Sequence, residues 1–150
     1  MIKMILIVLL LQGCSTFKDA IINDSINKIH YKKDISDEWK KPSDFYANGG
    51  DCEDYAIAKW YKLKKIHPTT NYKLVYVRIP KYGPHMVLVD FSSKNKRTFD
   101  NRTPYIMPLF DTGYSPVYAI DKKGLWIYHN GIFKKSIFYK KLKSKTSVFP

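Results

Sequence analysis

The sequence predicts an α+β fold in which one helix packs on an antiparallel sheet, and three observations carry that prediction. A run with helical spacing opens after Asp51 and stops at His67-Pro68. From Tyr72 onward the chain turns to short β-branched and aromatic runs broken by Pro, Gly and Asn. With 150 residues, 45% of them hydrophobic and 15% aromatic, the chain can build one real core but not two ordinary domains, and it is not a disordered polymer.

The first element is a targeting segment. Met1-Ile2-Lys3 precedes an apolar run from Met4 to Leu11, too short for a permanent bilayer span and of the right form for a secretory signal. Leu11-Gln12-Gly13-Cys14 resembles a bacterial lipobox, which implies cleavage after residue 13 and lipid on Cys14. An ordinary signal peptide or a buried N-terminal strand is the alternative. The expected organisation is a signal over 1–13, a lipidated tether and N-terminal helix over 14–33, and the folded domain over 34–150, whose C-terminal part is rich in lysine.

Phe17, Ile21, Ile22, Ile26 and Ile29 have the loose spacing of the N-terminal helix. Asp34 to Pro42 is a polar stretch around Trp39, and Ser43 to Tyr46 reads as a short turn before Gly49-Gly50. Asp51 can cap a helix that runs to about Ile66. Strands are expected at Tyr72–Ile79 and His85–Phe91 around a Pro80–Pro84 turn, then at 97–101, 117–120, 125–129 and 137–139.

Cysteine usage sharpens the reading. With Cys14 acylated, Cys52 is the one thiol left in an oxidising compartment, where secreted proteins normally pair their cysteines. Cys52 opens its helix, where orphan N–H groups and the dipole favour a thiolate and can bind an oxyanion. Three acids beside it (Asp51, Glu53, Asp54) oppose that effect, so Cys52 needs a base to become a nucleophile.

On a helix, Cys52, Ala56, Trp60 and Leu63 share a face that looks into the core, with Glu53, Asp54, Lys59 and Lys62 expected elsewhere. His85 shares its strand side with Val87, Val89 and Phe91, so its imidazole meets the edge of a packed surface. Asp100 joins His85's face if the loop between their strands has an even number of residues, and turns away if it is odd. Placed so, Asp100 orients His85, and His85 deprotonates Cys52.

The blocks Gly50-Asp51-Cys52-Glu53-Asp54-Tyr55-Ala56-Ile57-Ala58-Lys59, Leu74-Val75-Tyr76-Val77, His85-Met86-Val87-Leu88 and Phe99-Asp100-Asn101 resemble the bacterial transglutaminase-like cysteine peptidases, the family of the LapG-type periplasmic proteases. The resemblance runs from about Trp39 to Asn101. It implies a papain-like, transglutaminase-like fold and a catalytic triad of Cys52, His85 and Asp100, with no cofactor required for the chemistry. It also implies calcium held by acids beside the cysteine, here Asp51, Glu53 or Asp54; hard carboxylate oxygens suit that ion, although acids are favoured in any first helical turn.

The expected activity is a lipid-anchored peptidase acting on a protein of the cell envelope, in the periplasm and on the outer membrane in preference to the inner. Amide transfer by the same residues, or a non-catalytic lipoprotein using the fold to bind, are the competing readings. The formal charge of +13 is concentrated late, with eight lysines and one acid from Asp121 onward. Those lysines fit a solvated face alternating with core aromatics, or a surface for anionic envelope components; nucleic acid is not an expected partner. Trp39 fits either a cleft wall or a core residue. His30, His67 and His129 lack metal-type spacing, and two cysteines are too few for structural zinc.

Overall fold

The computed structural model describes residues 16–35, 38–137, 139 and 145–150. The signal segment and Cys14 lie outside the described residues. No helix among the described residues is long and apolar enough to cross a membrane.

Helix α1 covers residues 16–27. It is followed by α2 (Pro42–Asn48) and α3 (Cys52–Ile66), then by β1 (Tyr72–Ile79), β2 (Gly83–Asp90), β3 (Arg97–Phe99), β4 (Met107–Pro108), β5 (Ser115–Asp121), β6 (Gly124–His129) and β7 (Ile132–Lys135). The strands form one sheet in the order β4-β3-β2-β1-β5-β6-β7, with every neighbouring pair antiparallel. The α+β expectation is met.

Three elements differ from the sequence reading. The segment read as a turn at Ser43–Tyr46 is α2, started by Pro42 in the first helical turn and anchored by the buried Phe45. β4 is a two-residue strand, too short to leave a periodic signal. The last strand lies at Ile132–Lys135 instead of 137–139, because Asn130 and Gly131, both at positive φ, close a tight hairpin after β6.

Alternation along the strands builds two cores. Tyr72 and Leu74 of β1, Met86 and Leu88 of β2, and Phe99 and Ile120 meet Ala56, Ile57, Trp60 and Leu63 of α3 on one face. The odd-numbered Val75, Val77, Val87 and Val89 pack with Leu109 and Ala119 on the other face, beneath Tyr114, Trp126 and Phe133. A smaller cluster of Ile26, Phe45, Tyr55 and Ala58 ties α1 and α2 to the back of α3. Helix α1 is therefore packed into the fold, with Asp19 and Asn23 fully buried and Ile26 nearly so.

Candidate active site

The two glycines before the cysteine have separate steric reasons. Gly49 has φ +71°, and a Cβ there would lie 2.2 Å from the His30 carbonyl oxygen. A Cβ on Gly50 would lie 2.2 Å from Asp54 Oδ2. The close approach lets the Gly50 carbonyl accept from Lys32 N–H at 2.9 Å, which draws the segment after α1 against the start of α3.

Asp54 then organises the helix start. Its Oδ2 accepts the Asp51 N–H at 3.3 Å and the Lys40 ammonium at 2.8 Å, while Oδ1 accepts the Lys40 N–H at 2.7 Å. With 1% exposure Asp54 is a structural anion, which corrects the expectation that it faces solvent or an ion.

Cys52 is a free, half-buried thiol in the first turn of α3. Its S–H donates to Glu53 Oε2 at 3.1 Å. Burial, then the charge and hydrogen bond of Glu53, push the thiol above its ordinary value, while the Met86 N–H pulls the other way. Burial first, and the acids with it, outweigh the helix dipole, so the thiolate requires a proton acceptor.

His85 lies near the start of β2 and is 7% exposed. The β2–β3 register pairs Leu88 with Phe99 and Asp90 with Arg97, so the loop over 91–96 has an even number of residues and the parity condition holds. Asp100, one residue past β3, accepts His85 Nε2–H on Oδ1 at 2.8 Å. This leaves Nδ1 as the ring atom for the thiol. Cys52 and His85 line one cleft of about 570 Å³, with Trp39, Tyr76 and Tyr118 among its walls. Tyr76 and Tyr118 stack at 5.0 Å with an interplanar angle of 2°. Trp39 lines the cleft and also stacks on Phe149 at 5.7 Å, so both readings of it apply.

Asp100 is held by more than its histidine. Tyr114 Oη donates to Oδ2 at 2.6 Å and Arg102 N–H to Oδ1 at 3.0 Å. Burial alone would raise this carboxyl; the hydrogen bond and charge of His85, with Tyr114 and Arg102, outweigh it and hold it below the usual carboxylate range. The Tyr114 ring also meets the imidazole edge-on at 6.1 Å. From α1, Asn27 Nδ2 donates to the carbonyls of Asp100 and Thr103 at 2.9 Å, and Asn23 Nδ2 to those of Thr103 and Pro104 at 3.1 Å. The N-terminal helix thus clamps the turn that carries Asp100.

Of the acids expected to hold calcium, the fold brings Asp51 and Glu53 together and commits Asp54 to Lys40. Asp34 takes the third place: one oxygen from each of Asp34, Asp51 and Glu53 lies within 4.8 Å of the others. Asp51 Oδ1 is buried and has no hydrogen-bond partner among the described residues. Glu53, 7% exposed and not on an outer face as the helical spacing suggested, is pushed up to about 7 by burial and by Asp51. Converging carboxylates with an unsatisfied oxygen suit a hard divalent cation.

Asp34, Tyr114, Asn23 and Asn27 escaped the sequence reading, because no spacing rule links a loop acid to a helix start, or a loop tyrosine to an aspartate, across a fold. Of the histidines read as bland, His67 is accounted for structurally, its Nε2 at 2.7 Å from Asp19 Oδ1.

Residues 14–128 match the family described as bacterial transglutaminase-like cysteine proteinase BTLCP, extending the resemblance well beyond Asn101. No curated protein matches the chain. Among solved structures, calcium-bound Legionella pneumophila LapG superposes with a TM-score of 0.72 at 23% identity, covering 89% of this chain and 77% of that one. EGTA-treated LapG from the same organism gives a TM-score of 0.70 at 23% identity, over 89% and 78% of the two chains. A further Legionella pneumophila LapG structure gives 0.65 at 25% identity, over 75% and 68%. With most of its length matched to the family and the same transglutaminase-like fold, the chain belongs to the bacterial transglutaminase-like cysteine proteinases and is a cysteine peptidase of that kind.

Proposed function

We propose that this peptidase is lipid-anchored through Cys14 and hydrolyses an amide bond of a cell-envelope protein through a thioester on Cys52. The observation that carries the chemistry is the His85–Asp100 hydrogen bond at 2.8 Å beside the cleft that also holds Cys52. His85 Nδ1 takes the thiol proton, and the sulfur attacks the carbonyl carbon. The carbonyl oxygen becomes an oxyanion, for which the Cys52 N–H at the start of α3 is a backbone donor. Collapse breaks the C–N bond, and His85 returns the proton to the departing amine. Water, deprotonated by His85, then opens the thioester to a carboxylic acid and the free thiol. Asp100, held anionic by Tyr114 and Arg102, keeps the imidazole oriented throughout.

Asp34, Asp51 and Glu53 would hold calcium, in keeping with the calcium-bound state of the Legionella LapG structure. The bound ion would neutralise the acidic cluster next to the thiol. The lipobox-like Leu11-Gln12-Gly13-Cys14 supports the anchor and a periplasmic, outer-membrane location, where the C-terminal lysines face anionic envelope surfaces.

Alkylation by iodoacetamide across pH tests the triad without a known substrate. Wild type is expected to react well below the pH of a free thiol, and His85→Ala to slow that reaction at least roughly 100-fold at neutral pH. Equal rates in the two proteins refute the catalytic reading and leave the fold as a binding module. Product masses with and without an added amine separate hydrolysis from amide transfer.

A further inference from the structure

Toward the far end of α3 from the thiol, the fold leaves a second cavity of about 480 Å³ that shares no lining residue with the catalytic cleft. Among its walls are Trp60 and Lys64 of α3, Lys73 of β1, and Asp121, Lys122 and Lys123 where β5 turns into β6. Trp60 lies about 12 Å along the helix from Cys52.

The charges in this cavity do not balance. Asp121 is the one carboxylate lining it among the described residues, and both its oxygens are taken: Oδ2 by the Lys73 ammonium, Oδ1 by the N–H groups of Lys123 at 2.6 Å and Gly124 at 3.1 Å. Lys64 donates to the neutral Thr70 carbonyl at 2.8 Å, so Lys64, Lys122 and Lys123 bring charge that no acid of the wall offsets. The excess is felt inside. Burial pulls Lys73 below its ordinary value; Asp121 opposes this, but the ammonium groups of Lys123 and Lys135 pull the same way as burial.

A lysine-rich face in water needs no ligand, yet this one differs from such a face in two ways. Its floor is fixed, because Lys73 and Asp121 are both buried and Lys73 Nζ sits 3.5 Å from the centre of the Trp126 ring. Trp60, 5% exposed, holds its Nε1–H buried and without a hydrogen-bond acceptor among the described residues, and a buried donor left unmade is costly. An acceptor carrying negative charge would satisfy both the indole and the lysines. The donor types narrow its chemistry. The planar fork of an arginine suits a carboxylate, and no arginine is among the described lining residues; lysines gather around a phosphate as point charges. The volume has room for more than a bare phosphate ion.

We propose that this cavity binds a phosphate ester, one of whose oxygens accepts from Trp60 Nε1–H while Lys64, Lys122 and Lys123 neutralise its charge. The site is independent of the triad. A free solute and a lipid headgroup present the same group to it.

The test is calorimetry on the full chain in a neutral detergent, with glycerol 3-phosphate and dioctanoyl phosphatidic acid as probes and sodium chloride at matched ionic strength as the control. Saturable binding of a phosphate ester is expected. It should weaken at least roughly fivefold in Trp60→Phe, which removes the N–H, and in Lys123→Ala, at an exposed position. Similar affinity for the two esters supports the site and assigns a free solute; phosphatidic acid binding roughly tenfold tighter supports it and assigns a lipid headgroup. Heats no different from chloride overturn the proposal. So does binding that falls in Lys123→Ala and is unchanged in Trp60→Phe, the mark of a diffuse basic surface. Trp60 also packs on Phe149 with ring centres 4.8 Å apart, so a reading that needs no variant stands beside the substitutions. The indole N–H resonance of Trp60 in the wild type should move as the ester saturates, and a resonance that stays in place while the ester binds overturns the assignment.

Discussion

Tyr114→Phe is the most informative single change in this site, because it removes one oxygen and little else. The hydroxyl donates at 2.6 Å to Asp100 Oδ2, and Asp100 is 2% exposed, so no solvent stands ready to replace the bond. A hydrogen bond to a buried carboxylate contributes about 1.5–3 kcal/mol, and the orphaned oxygen retains its desolvation cost, so a loss of about 2 kcal/mol at neutral pH is expected. For a chain of this size that lowers the melting temperature by roughly 4–8 °C. The pH dependence follows from the direction of the Asp100 shift, which is downward in the fold. A depressed carboxyl stabilises the fold above its unfolded value of about 3.9, and that contribution is lost as pH falls through the lower folded value. The substitution raises the folded value toward the unfolded one, so the gap between wild type and variant is full near pH 7 and closes in strong acid. Urea midpoints measured from neutral pH downward read this directly. A gap of the same size at pH 7 and in acid would show that Tyr114 contributes packing alone and refute the electrostatic argument.

Other consequences can be checked with equally simple measurements. Calcium at about 100 times its dissociation constant should add about 2.7 kcal/mol of stability, and Asp51→Asn or Asp34→Asn should abolish both that rise and the calorimetric binding signal. Gly49→Ala should destabilise more than Gly50→Ala in urea, because the first combines a 2.2 Å clash with the fixed His30 carbonyl and a φ of +71°, whereas the second meets the Asp54 side chain, from Oδ2 at 2.2 Å to Cβ at 2.7 Å, without a positive φ. The Gly50 variant should lose about 2 kcal/mol through displacement of the Asp54 carboxylate, while alkylation of Cys52 in that variant reports how far the helix start has moved. Leu63→Ala, at a fully buried position between α3 and the sheet, should cost about 3 kcal/mol without changing the pH profile of Cys52, a separation of stability from chemistry visible by comparing melts with alkylation rates.

How far the sequence reaches into this fold depends on the range of each interaction. α3 and β1 were legible to within a residue at each end, since Asp51 and His67-Pro68 punctuate the helix and Tyr72 to Ile79 alternate between two buried faces. The dipole and acids around Cys52 are neighbours along the chain, so their opposition was also readable, and the pairing of His85 with Asp100 could be posed as a question of loop parity that the register answers. α2 was misread because it is seven residues long and depends on Phe45 filling a pocket that α1 and α3 create.

The rest is set by contacts whose partners lie far apart in the chain. Asp34 comes within reach of Asp51 and Glu53 only because residue 32 hydrogen-bonds to Gly50, and Tyr114 reaches Asp100 only because the loop before β5 folds back over the end of β3. Lys59 illustrates the difference: it was expected off the core face because a lysine in a helix reads as a solvated charge, yet seven residues past Cys52 it returns to that side of α3 and is 0% exposed. The sequence by itself determined the helix that presents the thiol and the alternating strands, because those follow from local propensity and period; spacing made Cys52, His85 and Asp100 a possible set, and the family resemblance is what named them as a triad. Only the tertiary structure decided which carboxylates converge, which stand apart, and what surrounds Asp100, because electrostatic environment is a property of everything that burial brings near.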